Sequence, residues 1–183
     1  MVYTQLLEQC KRNDSRAQRA LYDLFKARLM GLCRRYARNR EDAQDMLQES
    51  FVKIFTRMGQ LQSADKLEQW IKSIVVRTAI DHYNKKKLHE PVFAEQCYDV
   101  AGTDYELVLE NISDEQLISV INGLPEGCRM VFNLFEVEGY SHAEISELLK
   151  ISEGTSRSQL HHAKLLLKQK LNALGVKRYE KFA

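Results

Sequence analysis

The chain has 183 residues, of which 44% are apolar, and a formal net charge of +2. This length allows one or two small cores, and the balanced charge argues against a uniformly basic nucleic-acid binder. No apolar run approaches the ~20 residues of a membrane helix, and no basic segment precedes an apolar one at the N-terminus, which predicts a soluble, cytoplasmic protein without membrane insertion.

The cysteines predict neither disulfides nor a metal site. They stand far apart, at Cys10, Cys33, Cys97 and Cys128, with no Cys-x-x-Cys pair and no histidine at zinc-ligand spacing. Reduced thiols are the default for such a pattern in a cytoplasm. We expect no metal and no cofactor.

The mean charge conceals a strong asymmetry along the chain. Residues 1–90 contain 18 basic residues (Lys and Arg) and 11 acidic residues (Asp and Glu), a net charge of +7. Residues 91–118 contain no basic and 7 acidic residues, a net charge of −7. Residues 119–183 contain 9 basic and 7 acidic residues, a net charge of +2. A basic block, an acidic tether and a near-neutral block suggest contacts with polyanions at one place and with basic surfaces at another.

The apolar spacing predicts an all-α protein with two small helical domains. Three amphipathic helices are expected in residues 1–90, with apolar residues from Leu21 to Leu32, from Ala43 to Phe55 and from Leu67 to Ile80. Trp70 is expected to pack in the core rather than stack on a base. Pro91 and the polar stretch after it break the periodicity, so residues 91–112 are predicted to be a flexible acidic linker.

The second domain, residues 113–183, contains two capped helices joined by a tight corner. Ser113 with Gln116 is predicted to open a first helix, and Pro125 lies in the first turn of the next. Ser141 with Glu144 forms a capping box, and Ser152 is the expected N-cap of the last helix. This is the pattern of a helix-turn-helix.

Short polar side chains and one arginine crowd the start of the last helix. These side chains suit contacts with base edges and phosphates, and they are Thr155, Ser156, Arg157, Ser158, Gln159 and His162. The same pattern also fits an ordinary pair of antiparallel helices with a solvated face.

Taken together, three motifs resemble a bacterial RNA polymerase sigma factor of the extracytoplasmic-function (ECF) group. They are the acidic helix from Arg40 to Phe55, the basic and aromatic helix from Trp70 to Lys87, and the helix-turn-helix after the acidic tether. The resemblance covers residues from about 17 to 172. It implies that residues 1–90 dock on core RNA polymerase and contact the promoter's upstream melting element, and that residues 113–183 bind the upstream promoter element.

In that family the acidic helix docks on a coiled coil of the large polymerase subunit. The resemblance therefore implies a polymerase-binding set of residues on one stripe of this helix: Asp42, Asp45, Gln48, Glu49 and Val52. The simpler alternative is a solvated acidic face paired with Arg38 and Arg40.

The resemblance assigns DNA binding and melting to the third helix and the loop before it. Cations for phosphates, with polar and aromatic groups between them, suit a splayed single strand. The candidates are Lys66, Lys72, Arg77, Tyr83, Asn84, Lys85, Lys86 and Lys87. Residues 59–66 correspond loosely to the loop that reads a flipped base in the ECF group, although Leu61 and Leu67 stand where the family often has an aromatic residue.

The resemblance places the last helix in the major groove. Arg157 is the candidate for a guanine edge or a phosphate, Gln159 for an adenine edge, and Lys164 adds a cation on the same helix. Lys150 stands where such turns usually have glycine, which predicts a non-glycine residue at positive φ. His162 stands where the family usually has a permanent cation.

The chain shows no catalytic constellation, so we expect no enzyme: it has no phosphate-binding glycine loop, no His-Glu-x-x-His and no nucleophile elbow. The expected partners are core RNA polymerase and promoter DNA, and the resemblance allows for an anti-sigma factor. The alternative is a self-sufficient dimeric helix-turn-helix regulator, with a helical protein-binding adaptor as a third class.

Overall fold

The structure is a computed structural model that describes residues 3–89 and 114–174. All regular elements in these two ranges are helical, as predicted. They fall into two compact units that divide between Lys86 and Lys87. The predicted linker, residues 91–112, the predicted cap Ser113 and Cys97 lie outside the described residues.

The first unit is built from four α-helices, α1 (Thr4–Lys11), α2 (Ser15–Tyr36), α3 (Arg40–Arg57) and α4 (Leu67–His89), the last of which runs three residues past the boundary at Lys86. Asp14 begins α2 by accepting hydrogen bonds from the amides of Arg16 and Ala17. Asn39 begins α3 in the same way, through the amide of Asp42. These caps satisfy amides that a helix start would otherwise leave without partners.

The core of the first unit forms where α1, α2 and α3 pack together. The helix α4 also contributes to this core, with buried residues on several of its sides. Leu21, Ile54, Leu67, Ile71 and Val75 are fully buried. Trp70 is half-buried. Leu24, which shares the apolar spacing of α2, is 53% exposed instead and is one of the large apolar side chains on the surface.

The second unit contains α5 (Asp114–Asn122), α6 (Glu126–Phe132), α7 (His142–Leu149) and α8 (Glu153–Ala173). Pro125 immediately precedes α6 rather than lying in its first turn. A five-residue π-helical turn, Asn133–Val137, continues α6. One apolar cluster joins α5, α6 and α8 through Ile121, Cys128 and Leu167.

The described cysteines lie in the interior of the protein. Cys10, Cys33 and Cys128 are buried, and burial raises the pKa of the Cys33 thiol to about 12. Among the described residues, no helix is both long and apolar enough to cross a bilayer.

Candidate functional site

The acidic stripe of α3 lies opposite its buried face. At about 100° per residue, Asp45, Val52 and Gln48 fall on one side of the helix, with Asp42 at its edge. All four are exposed, and Val52 is 62% exposed. An apolar side chain among carboxylates, turned to solvent, suits a partner surface that is basic and partly apolar.

Glu49, predicted on the same stripe, turns instead toward α4. Its carboxylate contacts Lys53 Nζ at 2.8 Å and His82 Nε2 at 2.6 Å. Lys53 also reaches Asp81 Oδ2 at 3.1 Å and Thr78 Oγ1 at 3.2 Å. The charge of Glu49 is thus engaged within the first unit, and its contact with a partner stays a prediction.

Partial burial and ion pairing shift the pKa of the Glu49 carboxylate in opposite directions. The Lys53 ammonium, and with it His82, holds the pKa of Glu49 at about 2, against the raising effect of burial. Glu49 thus stays ionised over the whole physiological range. The resulting network joins the helix predicted to bind polymerase to the helix predicted to bind DNA.

The cations of α4 do not form one continuous face. Lys72 and Arg77 are both exposed but point about 140° apart around the helix. Arg77 shares its side with Trp70, Ser73 and Asn84, all of them half-buried. This side combines a cation, an aromatic ring and polar groups, as contact with a separated strand requires.

The remaining candidates of this region differ in accessibility. Lys66 and Lys85 are exposed, whereas Lys86 and Lys87 are half-buried. Tyr83 is only 8% exposed, so its ring packs inside the protein and is not available to stack on a base. This corrects the sequence prediction, which could not distinguish an inward from an outward aromatic residue near the end of a helix.

The loop before α4 turns its leucines inward. Leu61 and Leu67 are buried in the core of the first unit, while Gln60, Gln62 and Asp65 are exposed. A base pocket in this loop would therefore be lined by polar side chains rather than by the two leucines.

The helix-turn-helix has the predicted caps and the predicted strained corner. The Ser141 hydroxyl accepts from the Glu144 amide, and the Glu144 carboxylate accepts from the Ser141 amide, a complete capping box. The Ser152 hydroxyl accepts from the Thr155 amide at 2.9 Å. Lys150 closes the turn at φ 53°, in the left-handed region. The corner therefore carries a non-glycine residue at positive φ, as predicted.

The first turns of α8 present Thr155 and Arg157 to solvent. Arg157 is 61% exposed and lies 2.7 Å from the Glu153 carboxylate, one turn earlier. Because exposed pairs of this kind contribute little, Arg157 can leave Glu153 for a phosphate or a base. Ser158 and His162 are half-buried, and the Ser158 hydroxyl donates to the carbonyl of Thr155.

Three other predicted DNA contacts on α8 are engaged inside the second unit. Ser156 is fully buried, with its Oγ 2.8 Å from Nδ1 of His142. Gln159 is half-buried and packs against Gly127, where an added Cβ would come within 2.6 Å of its amide nitrogen. Lys164 pairs with Glu136 at 2.9 Å. The direct contact predicted for Ser156 is therefore wrong.

A histidine that the sequence analysis did not single out joins the two helices of the motif. His142 stacks on Phe135, with ring centroids 4.5 Å apart, and contacts Ser156 on α8. The sequence does indicate that Ser156 is buried, because this residue lies at helical spacing with the apolar positions Leu160, Ala163 and Leu167. The position of Phe135 depends on the π-helical turn, for which the sequence offers no comparable signal.

No group of three or more His, Cys, Asp or Glu side chains within residues 3–89 and 114–174 is arranged to hold a metal. His161 and His162 are adjacent on α8 and point about 100° apart.

Comparison with known proteins matches each unit to a separate family model. The model described as Sigma-70 region 2 matches residues 21–89, and the one described as Sigma-70, region 4 matches residues 114–167. Curated relatives match along nearly the whole chain. The ECF RNA polymerase sigma-E factor of Haemophilus influenzae is 27% identical over 180 residues, which is 92% of this chain and 95% of the relative.

Two further relatives show the same extent of similarity. The RNA polymerase sigma-H factor of Pseudomonas aeruginosa is 28% identical over 93% of this chain and 94% of its own length. The ECF RNA polymerase sigma factor SigW of Bacillus subtilis is 26% identical over 95% of this chain and 99% of its own length.

Proposed function

The chain belongs to the ECF group of RNA polymerase sigma factors, and from this premise we propose how its two units divide the work of initiation. It binds core RNA polymerase, directs it to specific promoters and assists melting of the DNA. The observation that carries this function is the order of the two family models, region 2 over the unit with the acidic stripe and region 4 over the helix-turn-helix.

We propose that residues 1–90 form the polymerase-docking and melting domain, residues 91–112 an acidic linker, and residues 113–183 the domain for the upstream element. The polymerase contact is the exposed stripe of Asp42, Asp45, Gln48 and Val52 on α3. Glu49 acts behind this stripe, by holding α3 against α4. An acidic surface with an exposed apolar side chain at its C-terminal end supports this assignment, because it complements a basic docking partner.

DNA contact by the first unit is assigned to the exposed cations Lys66, Lys72, Arg77 and Lys85, with Asn84 beside Arg77. DNA contact by the second unit is assigned to Thr155 and Arg157 at the start of α8, with Ser158 and His162 as secondary contacts. The exposure of the four cations and of Thr155 and Arg157 supports the assignment, whereas Asn84, Ser158 and His162 are half-buried. Four other half-buried side chains are secondary candidates for DNA contact as well: Lys86, Lys87, Gln159 and Lys164.

The protein is proposed to act in the cytoplasm, where core RNA polymerase works, and to leave catalysis to the polymerase. A self-sufficient dimeric regulator is not favoured, because such a protein has no need for the region 2 unit that residues 21–89 match. An anti-sigma factor as a regulatory partner stays a prediction from the family resemblance.

Transcription in vitro with purified bacterial core RNA polymerase and a pool of genomic promoter fragments tests this function. We expect discrete start sites that appear only when the protein is added, and alignment of the active fragments should reveal two shared promoter elements. Failure to associate with core polymerase, together with tight specific binding of duplex DNA by the protein alone, would support the regulator instead.

A further inference from the structure

A buried serine stands in the middle of the surface that we assign to promoter recognition. Ser156 lies between Thr155 and Arg157 in the first turns of α8, yet it is fully buried while both neighbours are exposed. Its face of the helix continues with Leu160 and Ala163, which are also buried. A hydroxyl in such a position needs a hydrogen-bond partner within the protein.

His142 is that partner, and it comes from the other helix of the motif. Its Nδ1 lies 2.8 Å from Ser156 Oγ. His142 is the first residue of α7, directly after the N-cap Ser141, so its backbone is held by the capping box. The contact therefore ties the start of α8 to the start of α7, two points that the intervening turn does not connect directly.

The imidazole ring is itself held in place from a third element. It stacks on Phe135 at 4.5 Å between centroids, with the two planes 23° apart. Phe135 belongs to the π-helical turn Asn133–Val137 that continues α6. A widened turn of this kind shifts the side chains that follow it, and such turns occur often at functional sites.

Charged groups around His142 favour its neutral form. Burial lowers the pKa of His142, and Arg157 and Lys164 lower it further, whereas Glu153 opposes them. Glu136 faces Lys164 from the π-helical turn. A neutral imidazole has one donor and one acceptor nitrogen, so Nδ1 can accept the serine proton or donate its own.

We propose that His142 is a positioning residue: through Ser156 it sets the first turns of α8, and so determines how Thr155 and Arg157 discriminate between upstream promoter sequences. This inference rests on the proposed function of α8 as the recognition helix. His142 itself does not contact DNA. It acts by holding the backbone from which two exposed side chains reach the base edges.

The test measures discrimination rather than total activity. Full-length protein with core RNA polymerase transcribes a matched promoter and a second promoter whose upstream element has been substituted, and the ratio of the two initial rates is recorded. We expect Ser156→Ala and His142→Phe each to lower this ratio about fivefold to tenfold, because each leaves a buried polar partner unsatisfied. The phenylalanine retains the stacking on Phe135.

Two further variants separate positioning from general stability. The double variant His142→Phe with Ser156→Ala lacks the same contact as each single variant, so its ratio should match theirs rather than fall by the product of the two effects. Ser146→Ala is the matched control, because the Ser146 hydroxyl donates only to the carbonyl of Ala143 within α7 among the contacts described. Its ratio should equal that of the wild type.

The outcomes distinguish this inference from the function on which it rests. If the wild type directs no initiation from any promoter, the proposed function fails. If it does, but Ser156→Ala and His142→Phe leave the ratio unchanged or reduce both promoters equally, the contact has a structural role alone and the inference is overturned. Hydrogen exchange of peptides from the start of α8, faster in both single variants than in the Ser146→Ala control, is the expected accompanying result.

Discussion

The charge of Glu49 holds α3 and α4 together. Lys53 and then His82 bind its carboxylate and keep its pKa at about 2. Because the native pKa lies below the ordinary value of about 4.3, the unfolded chain takes up this proton first as acid is added. The stabilisation due to Glu49 is therefore complete above the unfolded pKa and is lost as the pH falls toward 2.

Replacing Glu49 by glutamine should flatten the acid dependence of stability in the first unit. We expect the free energy of unfolding of Glu49→Gln to be lower than that of the wild type near neutral pH, with the difference shrinking between about pH 4.3 and 2. Trp70, the single tryptophan of the chain, lies in α4, so its fluorescence during denaturant unfolding reports this unit.

The control for this measurement is Asp45→Asn, which neutralises an exposed carboxylate on the outer face of the same helix. Its loss of stability should be smaller and should vary less over the same pH range. Identical pH profiles for the two variants would contradict the role given to the Glu49 network.

At the scale of the helices, the turn between α7 and α8 carries a backbone cost. Lys150 has φ 53° and ψ 52°, a conformation in which its Cβ crowds the backbone. The turn nonetheless forms, because the left-handed residue lets the Ile151 amide donate to the carbonyl of Ser146. The N-cap Ser152, whose hydroxyl accepts from the Thr155 amide directly after the turn, provides a compensating hydrogen bond.

Lys150→Gly should therefore stabilise the second unit. We expect a gain of about 0.5 to 1 kcal/mol in the free energy of opening, since glycine adopts this conformation without a Cβ clash. Native-state hydrogen exchange of amides in α7 and α8 measures this quantity for the unit alone.

Asn13 offers a comparison in the first unit, because it also has positive φ, at 59°. Asparagine tolerates this conformation better than lysine does, so Asn13→Gly should give a smaller gain. A loss of stability in Lys150→Gly would show that its side chain makes a contact worth more than the relief of strain.

At the scale of the whole molecule, two units with separate cores carry two separable functions. The proposed polymerase contact lies on α3 in the first unit, and the proposed contact with the upstream element lies on α8 in the second. Substitutions that are far apart and share no partners act independently. Each function should therefore be removable without the other.

Asp45→Arg should abolish association with core RNA polymerase. The change puts a cation at the centre of the acidic stripe, where it repels a basic partner. Pull-down with purified core measures the effect, and affinity of the second unit for upstream-element DNA should not change. Polymerase affinity equal to that of the wild type would exclude this stripe as the docking surface.

Arg157→Ala should have the opposite effect. Loss of one arginine contact to a base edge costs about 1 to 3 kcal/mol in discrimination, so we expect a reduction of at least fivefold in initiation from promoters with a matched upstream element. Polymerase binding should be unaltered, and initiation from a promoter without that element should fall much less. Equal loss of both activities would refute the separation of roles.

The sequence by itself determined the features that depend on neighbouring residues. Helix periodicity, the caps at Ser141 and Ser152, the positive φ at Lys150 and the order of the three motifs all follow from short-range chemistry, and the family follows from that order. A cap or an amphipathic face needs only a few residues along the chain to define it.

Only the tertiary structure decided which polar side chains face outward. Glu49 turns to His82 on α4, Ser156 turns to His142, and Tyr83 packs inside, although each belongs to a run of residues that suits a partner or DNA. The partners of Glu49 on α4 and of Ser156 on α7 lie 33 and 14 residues away along the chain. No local pattern encodes such a contact, because it depends on how two helices pack against each other.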